Sequence, residues 1–466
     1  MGIMGALSTA VSGLSAQSYA LENISGNIAN SQTAGFKRVN TSFVDLVPDS
    51  PAGKELSGAV AAYSQLTNTI QGTVATTGIS TNMAISGDGY FVVAKNSGSI
   101  QTPSFAGTNL YTRRGDFQTT QRGFLVNGAG QYLVGTTYNP ATGAVTGSSL
   151  SPFQVPNLPL PAAKTTEMTY SGNLPSLPKP SSYDVATAGS ELIKPSSFGT
   201  NPVTTGTVKG ADVSTFLTQS IPGGEITVYN SSGTPVSAQL RWVKTKNYEP
   251  EIPPVAPSTT PTPEVPNTWM SFYQTDSSPG TSDTAWKSIG ANVTFDQNGQ
   301  RTSAGTVTMS NFAVDGITVG DVVLNFAANG LTQYGNANGV ASTSLDQNGY
   351  TSGTLAAVTI SNDGIITGAY SNGVTTKIGQ VTIAHFTSED SLKREDGGAF
   401  SETTASGTPT YGMDGATLAG GSIEQSNTDI SDEFSKMIVT QQAYSANTRV
   451  MSTAQQMLQD VINVIR

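Results

Sequence analysis

Few residues in this chain have a type and spacing that could do chemistry, and each has a plainer use close by. His385 is the only histidine. It alternates with Val381 and Ile383, which places it on a strand face, and no Gly-x-Ser-x-Gly elbow accompanies it for nucleophilic catalysis. Asp296-Gln297-Asn298-Gly299, Asp346-Gln347-Asn348-Gly349 and Asn362-Asp363-Gly364 begin like calcium loops, but none reaches the acidic residue that closes one. Asn-Gly and Asp-Gly are favoured hairpin turns, and these segments are read as turns. Arg114-Gly115-Asp116 spells an adhesion tripeptide, too short a match to carry a function. Any two of the 32 acidic residues could form the carboxylate pair of a glycoside hydrolase, yet no spacing selects a pair. The absence of cysteine excludes disulfides, thiol catalysis and Cys-based metal sites. The expectation is no catalytic set, no cofactor and no metal.

The residues that do recur at a fixed step are apolar, and they sit at the two ends. Ile430, Met437, Tyr444, Met451, Leu458 and Ile465 are seven apart, widened into a stripe by Phe434, Ile438, Ala454, Val461 and Ile462. No Gly or Pro falls between 430 and 466. This pattern predicts a helix of roughly 55 Å that packs along another helix. Asn427 or Thr428 is the expected cap, with Asp429, Asp432 and Glu433 in the first turn and Arg466 in the last, as the helix dipole prefers. Leu7, Leu14, Leu21 and Ile28, with Val11 and Ile24 beside them, repeat the seven-residue step in a helix over 2–30. Gly2, Gly5, Gly13 and Gly26 weaken that helix, and its small residues would let a neighbouring backbone come close. It is marginal alone and orders by packing. Gln441, Thr448 and Gln455 fall where a second core column should be apolar, which lowers stability while restricting register. The plainer alternative is a pair of core helices closing one globular domain.

Composition narrows the class. A net charge of −10 opposes nucleic-acid binding, and no basic run is present. Charged residues are only 12% of the 466 and Gly numbers 50, a balance that suits an exported β-rich protein. Hydrophobic residues at 36% support real cores. The first Lys is Lys37, so the start does not have the form of a cleavable leader, and no apolar run reaches a membrane-spanning length.

Between the ends the chain alternates as strand. Met83–Val93, Tyr111–Phe117 and Gly123–Asn127 are turn-and-strand segments, and Ile226 and Val228 alternate with Val236, Ala238, Leu240 and Trp242 across an Asn230–Gly233 turn. A Pro-rich patch at 152–180 marks a boundary, and a second at 250–266 is expected to be a surface loop. Trp242, Trp269 and Trp286 are scattered, without the grouping of a glycan platform. The fold class is multidomain α+β, with long terminal helices forming a coiled base and mostly-β domains nested between them.

The opening MGIMGALSTAVSGLSAQ, then Ala29-Asn30-Ser31-Gln32-Thr33-Ala34-Gly35-Phe36-Lys37, resembles the axial proteins of the bacterial flagellum, the rod and hook subunits. Ser426-Asn427-Thr428-Asp429-Ile430, running into Met437–Asn447, is similar to the close of the same family. The resemblance implies nested domains: terminal helices at 1–34 and 428–466, extended connectors at 35–82 and 401–427, a first β domain at 83–150 and 341–400, and an inserted outer β domain at 151–340. The terminal apolar residues would then be subunit-packing residues. Ala29, Asn30, Thr33, Gly35, Phe36 and Lys37 would be the family motif. The resemblance further implies a self-polymer forming a curved tube outside the cell, between rod and filament. Its partners would be distal rod and hook–filament junction proteins, a cap and the flagellar type III export apparatus, with neither nucleic acid nor membrane insertion. Within the family the long insert favours a hook over a straight distal rod. From another class, a secreted glycan-binding protein or hydrolase is the alternative.

Overall fold

A computed structural model describes residues 3–46, 58–99, 103–105, 107–253 and 261–465. The chain divides into two compact units, Met1–Leu158 with Leu355–Arg466, and Pro159–Thr354.

The first unit holds both terminal helices, Ile3–Ala29 and Ile430–Ile465, and a sheet woven from both halves of the chain. Tyr90-Phe91-Val92-Val93 is an unbroken apolar run because both faces of its strand, Tyr90–Lys95, are buried. Phe91 and Val93 face a core with Phe117, Leu133, Phe153, Ile366 and Ile383. Tyr90 and Val92 face another with Tyr111, Val134 and Phe400. The returning chain re-enters this sheet, with Val381 opposite Gly135, Ile383 opposite Phe91 and Ala399 opposite Thr112. Residues 35–82 and 401–427, expected as extended connectors, contain more pairing than that. Val39–Leu46 and Ala59–Leu66 form an antiparallel hairpin, and Thr417–Gly420 and Ser422–Glu424 pair with Met83–Ser86 and Val74–Thr76.

The second unit is two sheets around one core. Glu167–Asn173 lies parallel to Ile317–Thr332 in a four-stranded sheet with Thr306–Val314 and Ser342–Gln347. Pro235–Lys246 and Asn267–Gln274 lie within a five-stranded sheet that includes the expected hairpin, Val228 opposite Val236. Trp242, Trp269, Phe295, Phe312 and Phe326 fill the core. Trp286 belongs to a smaller cluster with Phe216 and Phe272, so all three tryptophans are interior. Two boundaries differ from the sequence expectation. Residues 341–354 belong to this unit rather than to the first β domain, because Ser342–Gln347 pairs with Glu167–Asn173. Residues 151–158 stay with the first unit, where Phe153 and Val155 enter its core. The middle of the Pro-rich stretch, 254–260, lies outside the described residues; its flanks pair as Glu249 with Val265 and Ile252 with Thr262.

Candidate functional site: the terminal helices and their junction

The residues that could do chemistry are accounted for locally. His385 is half-buried with Nε2 3.2 Å from the Gly412 carbonyl. Arg114 and Asp116 pair with each other at 2.8 Å. The Asp296 and Asn362 segments are turns, closed by Gly299 N–H donating to the Asp296 carbonyl and Gly364 N–H to that of Ser361. Among the described residues no three His, Asp or Glu side chains converge as a metal set.

The two terminal helices pack together, and the line along which they meet is made of small and polar residues apart from Ile24. Ala10, Gly13, Ala16, Ala20, Ile24 and Asn27 are the buried positions of the N-terminal helix. Glu433, Thr440 and Ala454 are buried on the C-terminal helix, seven or fourteen residues apart, with half-buried Asn447 in the same column. Gly13 lets the backbones approach, since a Cβ there would stand 2.8 Å from Asn447 Nδ2. Asn27 joins the helices near the base. Its Nδ2 donates to Glu433 Oε2 and to the Val39 carbonyl, both at 2.9 Å, while its Oδ1 accepts from Val39 N–H at 2.9 Å. Glu433 is 1% exposed and also accepts from Lys436 at 2.9 Å. The polar column therefore lies one residue before the expected Gln441, Thr448 and Gln455; Gln441 and Gln455 are exposed and Thr448 is half-buried. Asp429 is the cap in place of Asn427 or Thr428, its Oδ1 accepting from Ser431 N–H at 2.8 Å and Asp432 N–H at 3.2 Å.

Ile24 apart, the large apolar residues sit beside that line rather than on it. Leu7, Leu14, Leu21, Ile28, Met437, Met451 and Leu458 are half-buried, Ile24 is buried and Val11 is exposed. Ile430, Phe434, Ile438, Val439, Tyr444, Val450, Met457, Val461 and Ile462 are exposed, Ile438 at 56% and Val439 at 64%. Ile465 closes the helix; its side chain lies outside the described residues. At about 100° per residue, Val439, Val450 and Met457 fall on one flank of the buried line and Ile430, Phe434, Tyr444 and Ile462 on the other, while Val461 continues the line past Ala454 at its exposed end. Both flanks are left open.

The family motif lies where the helices meet the body. Asn30 and Thr33 close the first helix, with Thr33 N–H donating to the Asn30 carbonyl at 3.1 Å and Thr33 Oγ1 to Asn30 Oδ1 at 3.2 Å; Ala29 is exposed. Gly35 adopts φ 66°, and a Cβ there would lie 2.6 Å from the Arg113 carbonyl carbon. Phe36 is buried beneath the Arg394 guanidinium, 4.9 Å from its ring centre. Lys37 is buried against Glu424 at 2.6 Å, with Arg113 on the other carboxylate oxygen at 3.5 Å. Burial holds the Lys37 ammonium below the usual lysine range, although Glu424 pulls the other way. Burial likewise raises Glu389, which accepts from the Tyr90 hydroxyl at 3.0 Å. Sequence reasoning missed Asn27, Arg113 and Glu424, and gave Glu433 only a place in the first turn of its helix. Asn27 and Glu433 were legible only as polar residues on a helical face, and no periodicity marks Arg113 or Glu424.

Four family models match the chain along its length. They are the flagella basal body rod protein at residues 7–37, the flagellar hook protein FlgE/F/G D1 domain at 84–173, the flagellar basal body protein FlaE D2 domain at 222–350, and the flagellar basal body rod FlgEFG protein C-terminal at 419–464. The third covers much of the second unit. The flagellar hook protein FlgE of Salmonella typhimurium is 30% identical over 98% of this chain and 99% of its own length. The chain belongs to the flagellar hook protein family. The hook protein of Brucella abortus is similar over its whole length at 28% identity. A crystal structure of Helicobacter pylori flagellar hook protein FlgE2 overlays at a TM-score of 0.48 and 16% identity, over 74% of this chain and 98% of that one. The chain is thus a structural component of the flagellar hook and not an enzyme. No helix among the described residues is long and apolar enough to cross a membrane.

Proposed function

We propose that copies of this chain polymerise through their terminal helices into the curved tube of the hook, which joins rod to filament and transmits torque. The observation that carries this reading is the helix pair's exposed apolar flanks. A monomer leaves Phe434, Ile438, Val439, Val450 and Met457 in water, while its intramolecular seam uses small and polar groups with Ile24 as its one large apolar residue. Covering one such side chain is worth about 1.5–3 kcal/mol, so a few per interface suffice for association. The flanks face two ways, as a subunit with a neighbour on either side requires. The packing residues are Leu7, Val11, Leu14, Leu21 and Ile28 together with Ile430, Phe434, Met437, Ile438, Tyr444, Met451, Leu458, Val461, Ile462 and Ile465; Ile24, expected among them, is already buried within the chain. The nearest partners along the axis are distal rod and hook–filament junction proteins and a cap, and the type III export apparatus delivers the chain.

The test is electron microscopy of the full chain under salting-out conditions, beside the double variant Val450→Asp, Met457→Asp. Curved tubes from the first and monomers from the second, with unchanged monomer unfolding, are expected. Straight tubes would overturn the curvature in this reading. Monodisperse particles from the unaltered chain would overturn the reading.

A further inference from the structure

Both ends of the chain pass through one small volume between the body of the first unit and its helices, and that volume is charged. Lys37 and Arg113 are 2% exposed and Glu424 is 1% exposed, although such residues are almost never fully buried unless paired. Glu424 Oε1 accepts from Lys37 Nζ at 2.6 Å and from Gly72 N–H at 2.8 Å, and Oε2 from Arg113 Nη1 at 3.5 Å. Lys37 also donates to the Ile70 carbonyl at 2.6 Å, and Arg113 to that of Gly87 at 2.8 Å. Asn427 extends the set. Its Oδ1 accepts from Arg38 N–H at 2.8 Å, and its Nδ2 donates to Thr67 Oγ1 at 3.2 Å and the Ile70 carbonyl at 3.1 Å. The strap at 67–72 is thereby tied to the segment leaving the first helix and to the segment entering the last. The backbones are close as well, since a Cβ on Gly72 would stand 2.0 Å from the Gln425 carbonyl oxygen. Apolar packing tolerates a range of directions. Buried charges do not, because each has lost its water and regains the energy only at short range and in good geometry.

We propose that Lys37, Arg113 and Glu424 are positioning residues for assembly. They form a clasp that fixes 35–38 to 424–427 and so sets the direction in which both terminal helices leave the body. The clasp links residues 387 positions apart in sequence, so it closes only when both ends of the chain are in place. Its role in assembly rests on the reading that copies associate through those helices, but its first test needs no assembly.

That test is hydrogen exchange on the soluble full-length chain, comparing the unaltered protein with Glu424→Gln and Lys37→Met. Amides at 30–38 and 424–440 are expected to exchange at least tenfold faster in both variants, while strands Tyr90–Lys95 and Thr375–Val381 keep their protection. The critical concentration for tube formation should then rise at least tenfold. Glu424→Gln strands two buried cations and could unfold the unit; Lys37→Met removes one cation and leaves Glu424 with Arg113 and Gly72, so it keeps the test open. Unchanged exchange at both ends would overturn the clasp. Equal loss of protection in strand Tyr90–Lys95 would also overturn it, since the residues would then be general stabilisers. If the exchange result holds but the unaltered chain forms no tubes, the proposed function fails and the clasp stands. If Glu424→Gln forms tubes at the original concentration, the clasp does not govern assembly.

Discussion

The core of the second unit and the seam between the terminal helices are closed by opposite means. The core is filled with Trp242, Trp269, Phe295, Phe312 and Phe326, all at 1% exposure or less, so the apolar surface that stabilises it lies inside the chain. Apart from Ile24 the helix seam is closed by Ala, Gly, Asn, Thr and Glu, while the C-terminal helix holds Phe434, Ile438, Val439, Val450 and Met457 in water. A region that keeps its large residues inside is complete as a monomer. A region that keeps its small residues inside and its large ones outside is completed by something else, and in this family the available partner is another copy.

The largest expected effect breaks the self-contained side. Trp242 is fully buried and donates to the Tyr170 hydroxyl at 2.7 Å, which in turn donates to the Gly223 carbonyl at 2.9 Å. Trp242→Ala should lose about 3–5 kcal/mol from a cavity and a broken hydrogen-bond chain. Chemical denaturation read by the remaining Trp fluorescence checks it, because all three tryptophans lie in this unit. The helix–helix peptides should exchange as before. A loss under about 1 kcal/mol would mean the core repacks freely, and the contrast with the helices would weaken.

A buried charge in the same unit gives a smaller effect with a defined sign. Lys244 is 4% exposed and donates to the Ser176 carbonyl at 2.7 Å, and burial pulls it down to about 8 against a weaker opposing pull from Glu191. Below that pH the ammonium is charged in both states and its burial penalty is fully present. Between about 8 and 10.4 the unfolded chain binds a proton that the folded chain does not, so stability rises with pH, by up to about 3 kcal/mol over the window. Tyr170 and Tyr273 are both raised by burial and act in the other direction once unfolded tyrosine ionises near pH 10. The gain should therefore peak between about pH 9 and 10. Urea midpoints at pH 7.5, 8.5 and 9.5 measure it, and Lys244→Met should flatten the rise. A Lys244→Met slope equal to that of the unaltered chain would remove this residue as the cause.

How much of this was legible in the sequence follows from the same contrast. The helix spans were plain from an uninterrupted apolar period without Pro, and the Val228–Val236 hairpin from alternation across a Gly turn. The face by which the helices meet was not. Hydrophobic periodicity marks where large residues lie, and on these helices they flank the contact instead of making it. Small residues such as Ala16 and Ala20, four apart, were the available signal, and they weigh little on a hydropathy scale. The clasp was hidden for a different reason. Lys37 and Glu424 are joined by pairing across the whole chain, and a single sequence gives no register between segments so far apart. The unit boundary near 341–354 failed likewise, since the partner of Ser342–Gln347 is Glu167–Asn173, across the whole insert.

Gly13 gives the smallest effect and the sharpest separation of the two regions, because there added bulk is the fault and not the remedy. A Cβ at this position meets Asn447 Nδ2 at 2.8 Å and its Cγ at 3.2 Å, the end of a side chain that is free to swing aside. Gly13→Ala also gains about 0.8–1 kcal/mol of helix propensity. The two effects nearly cancel, so the expected change in monomer stability is within about 0.5 kcal/mol. Gly13→Leu has no such escape. Its branched end reaches past Asn447 to the facing backbone and should push the helices apart, at a cost of about 1–3 kcal/mol confined to them. Circular dichroism at 222 nm and hydrogen exchange over 430–460 would show the separation, with the Trp-reported unfolding of the second unit unmoved. If Leu were accepted as readily as Ala, the helices would not be in close contact at Gly13. The small residues would then be incidental, and the seam would have to be sought on the apolar flanks within a single chain.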